Sequence, residues 1–156
     1  MNTIIIVHSY HNGSTRKIAD VIGKEMNAEV KTTTAITPEE AAKYEFIGLG
    51  AGIDSGHHYS PLLDFAEAMP EASGQKTFLF STAGIAGKEK KKLSDHKALR
   101  VILNRKGYKV LDEFSCKGFN TNSFLKYIGG MNKGRPNAED FEAAAAFANS
   151  MKGWVE

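Results

Sequence analysis

Cysteine is almost missing from this sequence. One thiol, Cys116, stands alone in 156 residues, so the chain can close no internal disulfide and cannot build a multi-cysteine metal site by itself. A reducing compartment fits that usage. No apolar run approaches the roughly 20 residues that span a bilayer, and the first residues lack the basic, apolar, then small pattern of a secretory signal. A cytoplasmic protein with no membrane partner is expected. Two phosphate-binding signatures are missing as well. The segment after the first apolar run holds a single glycine, Gly13, and Gly48, Gly50 and Gly52 have the wrong spacing for G-x-G-x-x-G. Gly129 to Gly134 has the frame of a lysine-bearing phosphate loop, but Arg135-Pro136 stands where Lys and Ser or Thr are required. Both absences argue against a tightly held dinucleotide and against P-loop chemistry.

Charge is nearly balanced, at +2 with histidine neutral, yet unevenly placed. Residues 1–87 carry six Lys/Arg against ten Asp/Glu, residues 88–135 thirteen against four, and residues 136–156 one against four. Runs of this kind are usually solvated helix faces; the functional alternative is a docking patch for an acidic partner. Nucleic acid is disfavoured, because the basic residues are not interleaved with aromatics in a recognised module.

What is present is an alternation of strand and helix patterns over one domain, residues 1–156. Ile4 to Val7 is continuously apolar, as in a strand covered on both faces, and Ile18, Val21, Ile22 and Met26 follow at helical spacing. Ala28 to Thr32 alternates with charge, which suits a sheet edge. Thr37-Pro38-Glu39-Glu40 opens a short helix with Thr37 as cap and Glu40 reaching back. Phe46 to Gly50 reads as a buried strand whose glycines leave room above it, running into a glycine-rich loop, Ala51 to Tyr59. Ser60-Pro61 starts a helix that Pro70 stops. Thr77 to Phe80 is the fourth strand, followed by the small-residue loop Ser81-Thr82-Ala83-Gly84. A basic segment then leads to a helix near Ser94 with Leu99, Ile102 and Leu103 inward and Gly107 as its stop. Tyr108 to Cys116 reads as the other edge strand, and Asn137 caps an alanine-rich final helix. Cys116 is expected to pack rather than react, since free cysteines are among the most buried residues.

Five strands alternating with five helices predict an α/β three-layer open sandwich, a five-stranded parallel sheet covered by helices on both faces. With the second and fifth strands at the edges the order is 2-1-3-4-5, and the switch point falls between strands one and three. Loops 9–15, 50–60 and 82–88 meet there. The first of them, Ser9-Tyr10-His11-Asn12-Gly13-Ser14-Thr15, joins a strand to a helix through hydroxyls and a glycine, which is the makeup of an anion site. A receiver domain of the same strand order would need acidic residues where His8, Ser9 and Gly50 stand. A phosphate held by backbone N–H groups and hydroxyls without a lysine points to a mononucleotide-like ligand.

At this level of detail the sequence resembles the flavodoxin family. Ser9 with Asn12-Gly13-Ser14-Thr15 resembles the family's hydroxyl-x-Thr-Gly-x-Thr phosphate loop, although the loop is one residue longer here. Gly50-Ala51-Gly52-Ile53 and Ser81-Thr82-Ala83-Gly84 sit where the family's two flavin-flanking loops do. Cys116 to Phe119 and Gly129 to Asn137 resemble segments of a flavodoxin-like subgroup. The resemblance implies FMN and electron transfer, with Ser9 to Thr15 at the phosphate and Ala51, Gly52, Ile53, Asp54, His57, His58, Thr82, Ala83 and Gly84 at the ring. It implies no catalytic side chain and no metal. One of His57 and His58 is a candidate ring contact, and Gly52 or Gly56 could turn a carbonyl towards the flavin. Well-known flavodoxins are acidic around the third loop, whereas here Lys88 to Lys92 follow it. A less negative potential and an acidic redox partner protein are therefore expected. The alternatives are an FMN-dependent NAD(P)H:quinone-type oxidoreductase and a flavin-free domain that binds a partner through the basic 88–135 block.

Overall fold

The computed structural model describes residues 2–9, 13–86, 88–118 and 134–155. Strand β1 (Thr3–His8) leads to helix α1 (Ser14–Met26), edge strand β2 (Glu29–Thr32), the single turn α2 (Pro38–Ala41) and the long strand β3 (Phe46–Asp54). A two-residue strand β4 (His57–His58) follows, then α3 (Ser60–Ala68), β5 (Lys76–Ala83), α4 (Glu89–Asp95), α5 (Lys97–Lys106), β6 (Lys109–Lys117) and α6 (Ala138–Val155). The sheet runs β2-β1-β3-β5-β6, all parallel, and β4 lies off this path, antiparallel to the end of β3. With β4 set aside this is the expected 2-1-3-4-5 order. Helices cover both faces of the sheet, which gives the expected three-layer α/β architecture.

Continuous apolar sequence becomes a strand buried on both sides. Ile4, Ile5, Ile6 and Val7 have no exposed surface, and burying each such side chain is worth about 1.5–3 kcal/mol. Alternation along the strands divides them between two cores. Ile4 and Ile6 join Leu49, Leu79 and Leu103 on the face covered by α3 and α5. Ile5 and Val7 join Ile18, Phe78, Phe80 and Met151 on the face covered by α1 and α6.

Local chemistry sets several boundaries. The Thr37 hydroxyl accepts from Glu40 N–H at 3.1 Å; the Glu40 carboxylate accepts from that same hydroxyl at 3.0 Å rather than reaching the Thr37 backbone. Gly107, at φ 92°, ends α5 in the left-handed region, and Asn137 caps α6 through Asp140 N–H at 3.1 Å. The basic run itself is helical: α4 contains Lys90, Lys91 and Lys92 and hands over to α5 at His96.

Two expected loops are strand instead. Residues 51–54 continue β3 and turn back through Ser55 (φ 54°) and Gly56 (φ 83°), a two-residue hairpin with both central residues left-handed. Residues 81–83 continue β5. The room above the β3 glycines is taken by the chain's own aromatics. A Cβ on Gly48 would lie 2.3 Å from the Phe78 ring, one on Gly50 2.2 Å from Phe80, and one on Gly52 2.6 Å from Tyr59. Glycine is required in this strand because rings lie too close to its backbone to admit a Cβ.

Candidate functional site

Strand order places the C-terminal ends of β1, β3 and β5 side by side, with His8 paired to Ala51 and Ala51 to Ser81. Helix α1 begins beside them. Gly13 enters it at φ 69° and its first turn holds no acidic residue, so the positive end of its dipole faces this edge unopposed by a carboxylate of its own first turn. Ser14 and Thr15 are buried at 7% and 2% exposure. Ser9 Oγ accepts from Arg16 N–H at 3.4 Å, which closes the loop's two ends.

A second tie comes from β5. The Thr15 and Thr82 hydroxyls are 2.8 Å apart and hydrogen-bonded, and Gly118, donating its N–H to the Ala83 carbonyl, lies against Ser14 and Thr82. A Cβ on Gly118 would meet Thr82 Cβ at 3.0 Å and Ser14 Cβ at 3.1 Å. Ser9, Gly13, Ser14, Thr15, Thr82 and Gly118 thus form one cradle. Gly118 is the member the sequence pattern did not single out; its signal was its place just past the end of the last strand. Tyr10, His11 and Asn12 lie outside the described residues.

The remaining candidates are distributed along the hairpin and the β5 end. Asp54 is exposed, Ile53, His57 and Gly84 are half-buried, and Ala51, Gly52 and Ala83 are buried in strand. Ala51 belongs to the α3-side core. The Gly52 carbonyl accepts the Tyr59 N–H at 3.0 Å and so is already committed, which removes it as the peptide expected to turn; Gly56, at the hairpin tip, keeps that freedom. Tyr59, absent from the expected ring contacts, covers Gly52 and meets the His8 ring edge-on at 6.3 Å.

His58 points inward with no exposed surface. Its Nε2–H donates to the Phe80 carbonyl at 3.1 Å, and its ring lies 4.7 Å from that of His96. Burial, then the neighbouring His96, push its pKa down to about 3, so it is neutral. His96, also fully buried, bridges the Ser81 hydroxyl at 2.6 Å through Nε2 and Glu113 at 2.9 Å through Nδ1. Arg100 grips both Glu113 oxygens, at 2.8 and 2.7 Å. Burial alone would raise the Glu113 pKa; the His96 and Arg100 hydrogen bonds and the Arg100 charge outweigh it and hold it at about 2. Sequence spacing gave no hint of this cluster, whose members are scattered over β4, β5, α5 and β6 and the α4–α5 joint. Ser81, His96 and Glu113 have the connectivity of an acyl-transfer triad, but Ser81 is sealed at 0% exposure and meets no substrate.

Cys116 is buried, and burial and then Asp140 push its thiol up to about 12, so it packs as expected. Lys91 pairs with Asp95, and Lys92 with Glu89 at 2.8 Å. Lys88 and Lys90 are exposed and form no ion pair among the described residues. No helix among the described residues is long and apolar enough to cross a membrane.

An open parallel sheet of this order, with helices on both faces and its loops meeting at the switch point, defines the doubly wound α/β class. Within it, a flavodoxin domain matches residues 5–118, and the chain belongs to the flavodoxin family. An uncharacterised protein of Methanocaldococcus jannaschii is 37% identical over 151 residues, covering 97% of this chain and 98% of that one. Oxidised flavodoxin 1 of Bacillus cereus superposes with a TM-score of 0.67 at 19% identity over 95% of each chain. The flavodoxin of Fusobacterium nucleatum, solved bound to flavin mononucleotide, does so with a TM-score of 0.67 at 16% identity over 98% of each.

Proposed function

We propose that this protein binds FMN non-covalently and carries electrons between partner proteins. The observation that carries the reading is the cradle: a helix N-terminus entered through left-handed Gly13 with no acid in its first turn, lined by buried Ser14 and Thr15 and tied to β5 by the Thr15–Thr82 bond. Those residues fit a phosphate group. When bound, FMN supplies the electron chemistry, in one- or two-electron steps. The chain's own residues do the rest. Ser14, Thr15 and the first N–H groups of α1 hold the phosphate, while Ile53 to His57 and Thr82 to Gly84 orient the ring and keep water from it. Exposed Lys88 and Lys90 put positive charge beside the third loop, which favours an anionic reduced ligand over a neutral one. Together with exposed Ile85 and Leu93 they form a docking face for an acidic redox partner.

Purified protein is expected to be yellow, to release FMN on denaturation, and to rebind it as apoprotein; colourless protein that takes up no added FMN overturns the reading. A monomer that oxidises no NAD(P)H favours the carrier over a stand-alone reductase. Exchange with an acidic partner is expected to slow as salt rises, and in Lys88→Gln and Lys90→Gln variants.

A further inference from the structure

The hairpin from Ile53 to His58 has little of its own to hold it in place. Two residue pairs, Ile53 with His58 and Asp54 with His57, make up its ladder, closed at the base by the Tyr59 N–H donating to the Gly52 carbonyl at 3.0 Å, and a ladder that short is not stable by itself. Its turn residues Ser55 and Gly56 are exposed. His57 donates from Nδ1 to the His58 carbonyl at 2.8 Å, which stiffens the returning arm without tying it to anything else. Only His58 reaches from this arm into the core. Its Nε2–H takes the carbonyl of Phe80 on the neighbouring strand, and its ring is seated on His96.

What lies under that ring is fixed from several sides. Ser81 on β5 and Glu113 on β6 hold the two nitrogens of His96, and the Arg100 guanidinium holds Glu113 while donating to the Leu93 carbonyl at 3.0 Å. Lys92 donates to the Glu113 carbonyl at 3.1 Å. A buried chain of ionic and polar groups is no more stable than well-packed apolar side chains of equal volume; what it adds is direction, because each hydrogen bond admits one orientation. The orientation passed along this chain is that of the His58 ring, and through it that of the hairpin.

We propose that His58 is the positioning residue of the hairpin: its bond to the Phe80 carbonyl, backed by His96, Ser81, Glu113 and Arg100, sets how residues 53–57 stand over the sheet's C-terminal edge. Its consequence for the ligand rests on the FMN reading, in which this hairpin flanks the ring. His58 is not then a ring contact. It acts through Ile53 to His57, which meet the ligand.

The test compares His58→Phe, which keeps an aromatic ring on His96 but removes the donor, with His58→Gln, whose amide N–H reaches the Phe80 carbonyl. In apoprotein, amide hydrogen exchange of Ser55, Gly56 and His57 is expected to quicken at least tenfold in the Phe variant, with Ile4 to Val7 unchanged, and to return to within threefold of the parent in the Gln variant. FMN affinity is expected to fall about tenfold in the Phe variant and to recover in the Gln variant. The reduction potential should move and recover in the same pattern, which loss of packing alone does not produce. If the Phe ring overfills the site and the variant does not fold, His58→Leu makes the same comparison. A parent that binds FMN, with Phe and Gln variants equal to it in exchange, affinity and potential, overturns the proposal and leaves the FMN reading intact. A parent that takes up no FMN overturns that reading instead, and hydrogen exchange alone then decides: quickened in the Phe variant and rescued by Gln upholds the positioning role, unchanged refutes it.

Discussion

Ser81 and Thr82 are neighbours in the chain, yet they end in two different kinds of polar region. Strand alternation sends Thr82 to the α1 face, where its hydroxyl meets Thr15 at the mouth of a helix N-terminus. It sends Ser81 to the α3–α5 face, where its hydroxyl is consumed by His96. The first region places the positive end of the α1 dipole, with no acid in the first turn, at the sheet's C-terminal edge. In the second, Glu113 supplies the anion and Arg100 the cation, and the charges are answered internally. Ligand sites and structural clusters use the same residue types. The difference lies in whether a carboxylate already stands opposite the positive charge.

That contrast can be broken most forcefully from the buried side. Glu113→Ala leaves Arg100 and His96 without their partner. Since the Glu113 side chain is 10% exposed and that of Arg100 23%, the cost belongs near the lower end for breaking a buried pair, about 3 kcal/mol in a denaturant titration. Loss under 1 kcal/mol would mean the cluster is not a unit.

Acid should find the same region. His58 has its pKa depressed by burial to about 3 from the ordinary 6.5 of a histidine, so below pH 6.5 the unfolded chain takes a proton that the folded chain refuses. Stability is present above that value and falls with pH, by up to about 1.4 kcal/mol per unit for one proton. Glu113, lowered from 4.5 to about 2, adds a further loss between those values. Stability measured by denaturant at stepped pH is expected to decline from 6.5 downward in the parent and to decline less steeply between 6.5 and 4.5 in His58→Gln, where His8, also lowered by burial, still contributes.

The smallest effect belongs to the open side. Thr82→Val keeps the shape and removes the hydroxyl that ties β5 to Thr15, for about 1 kcal/mol of stability. FMN binding is expected to weaken about fivefold, measured by quenching of flavin fluorescence on titration. A change in stability alone, with affinity untouched, would place Thr82 outside the cradle.

The open region was largely legible in the sequence. Hydroxyls and a glycine between an apolar run and an amphipathic one are local signals, and local signals survive in one dimension. The hairpin was half legible. Glycines at 48, 50 and 52 mark close approach, but whether a ligand or the chain itself approaches is decided by Phe78, Phe80 and Tyr59, which lie 7 to 30 residues away in sequence. The buried cluster was not legible at all: Ser81, His96, Arg100 and Glu113 show no periodicity, and only the β5–β6 pairing and the turn at His96 bring them together.

By itself, then, the sequence determined the alternation of strand and helix, the two-sided burial of Ile4 to Val7, the edge character of β2 and β6, and the start of α1 at Ser14 and Thr15. Each of these follows from which residues stand next to which, or at what period. Tertiary structure alone decided that rings of the chain's own aromatics cover the β3 glycines, that His58 turns inward, and that Ser81 serves His96 while Thr82 serves Thr15. Those outcomes depend on which face of the sheet a residue lands on and what the opposite element offers there. The packing of strands and helices sets such distances, and position along the chain does not.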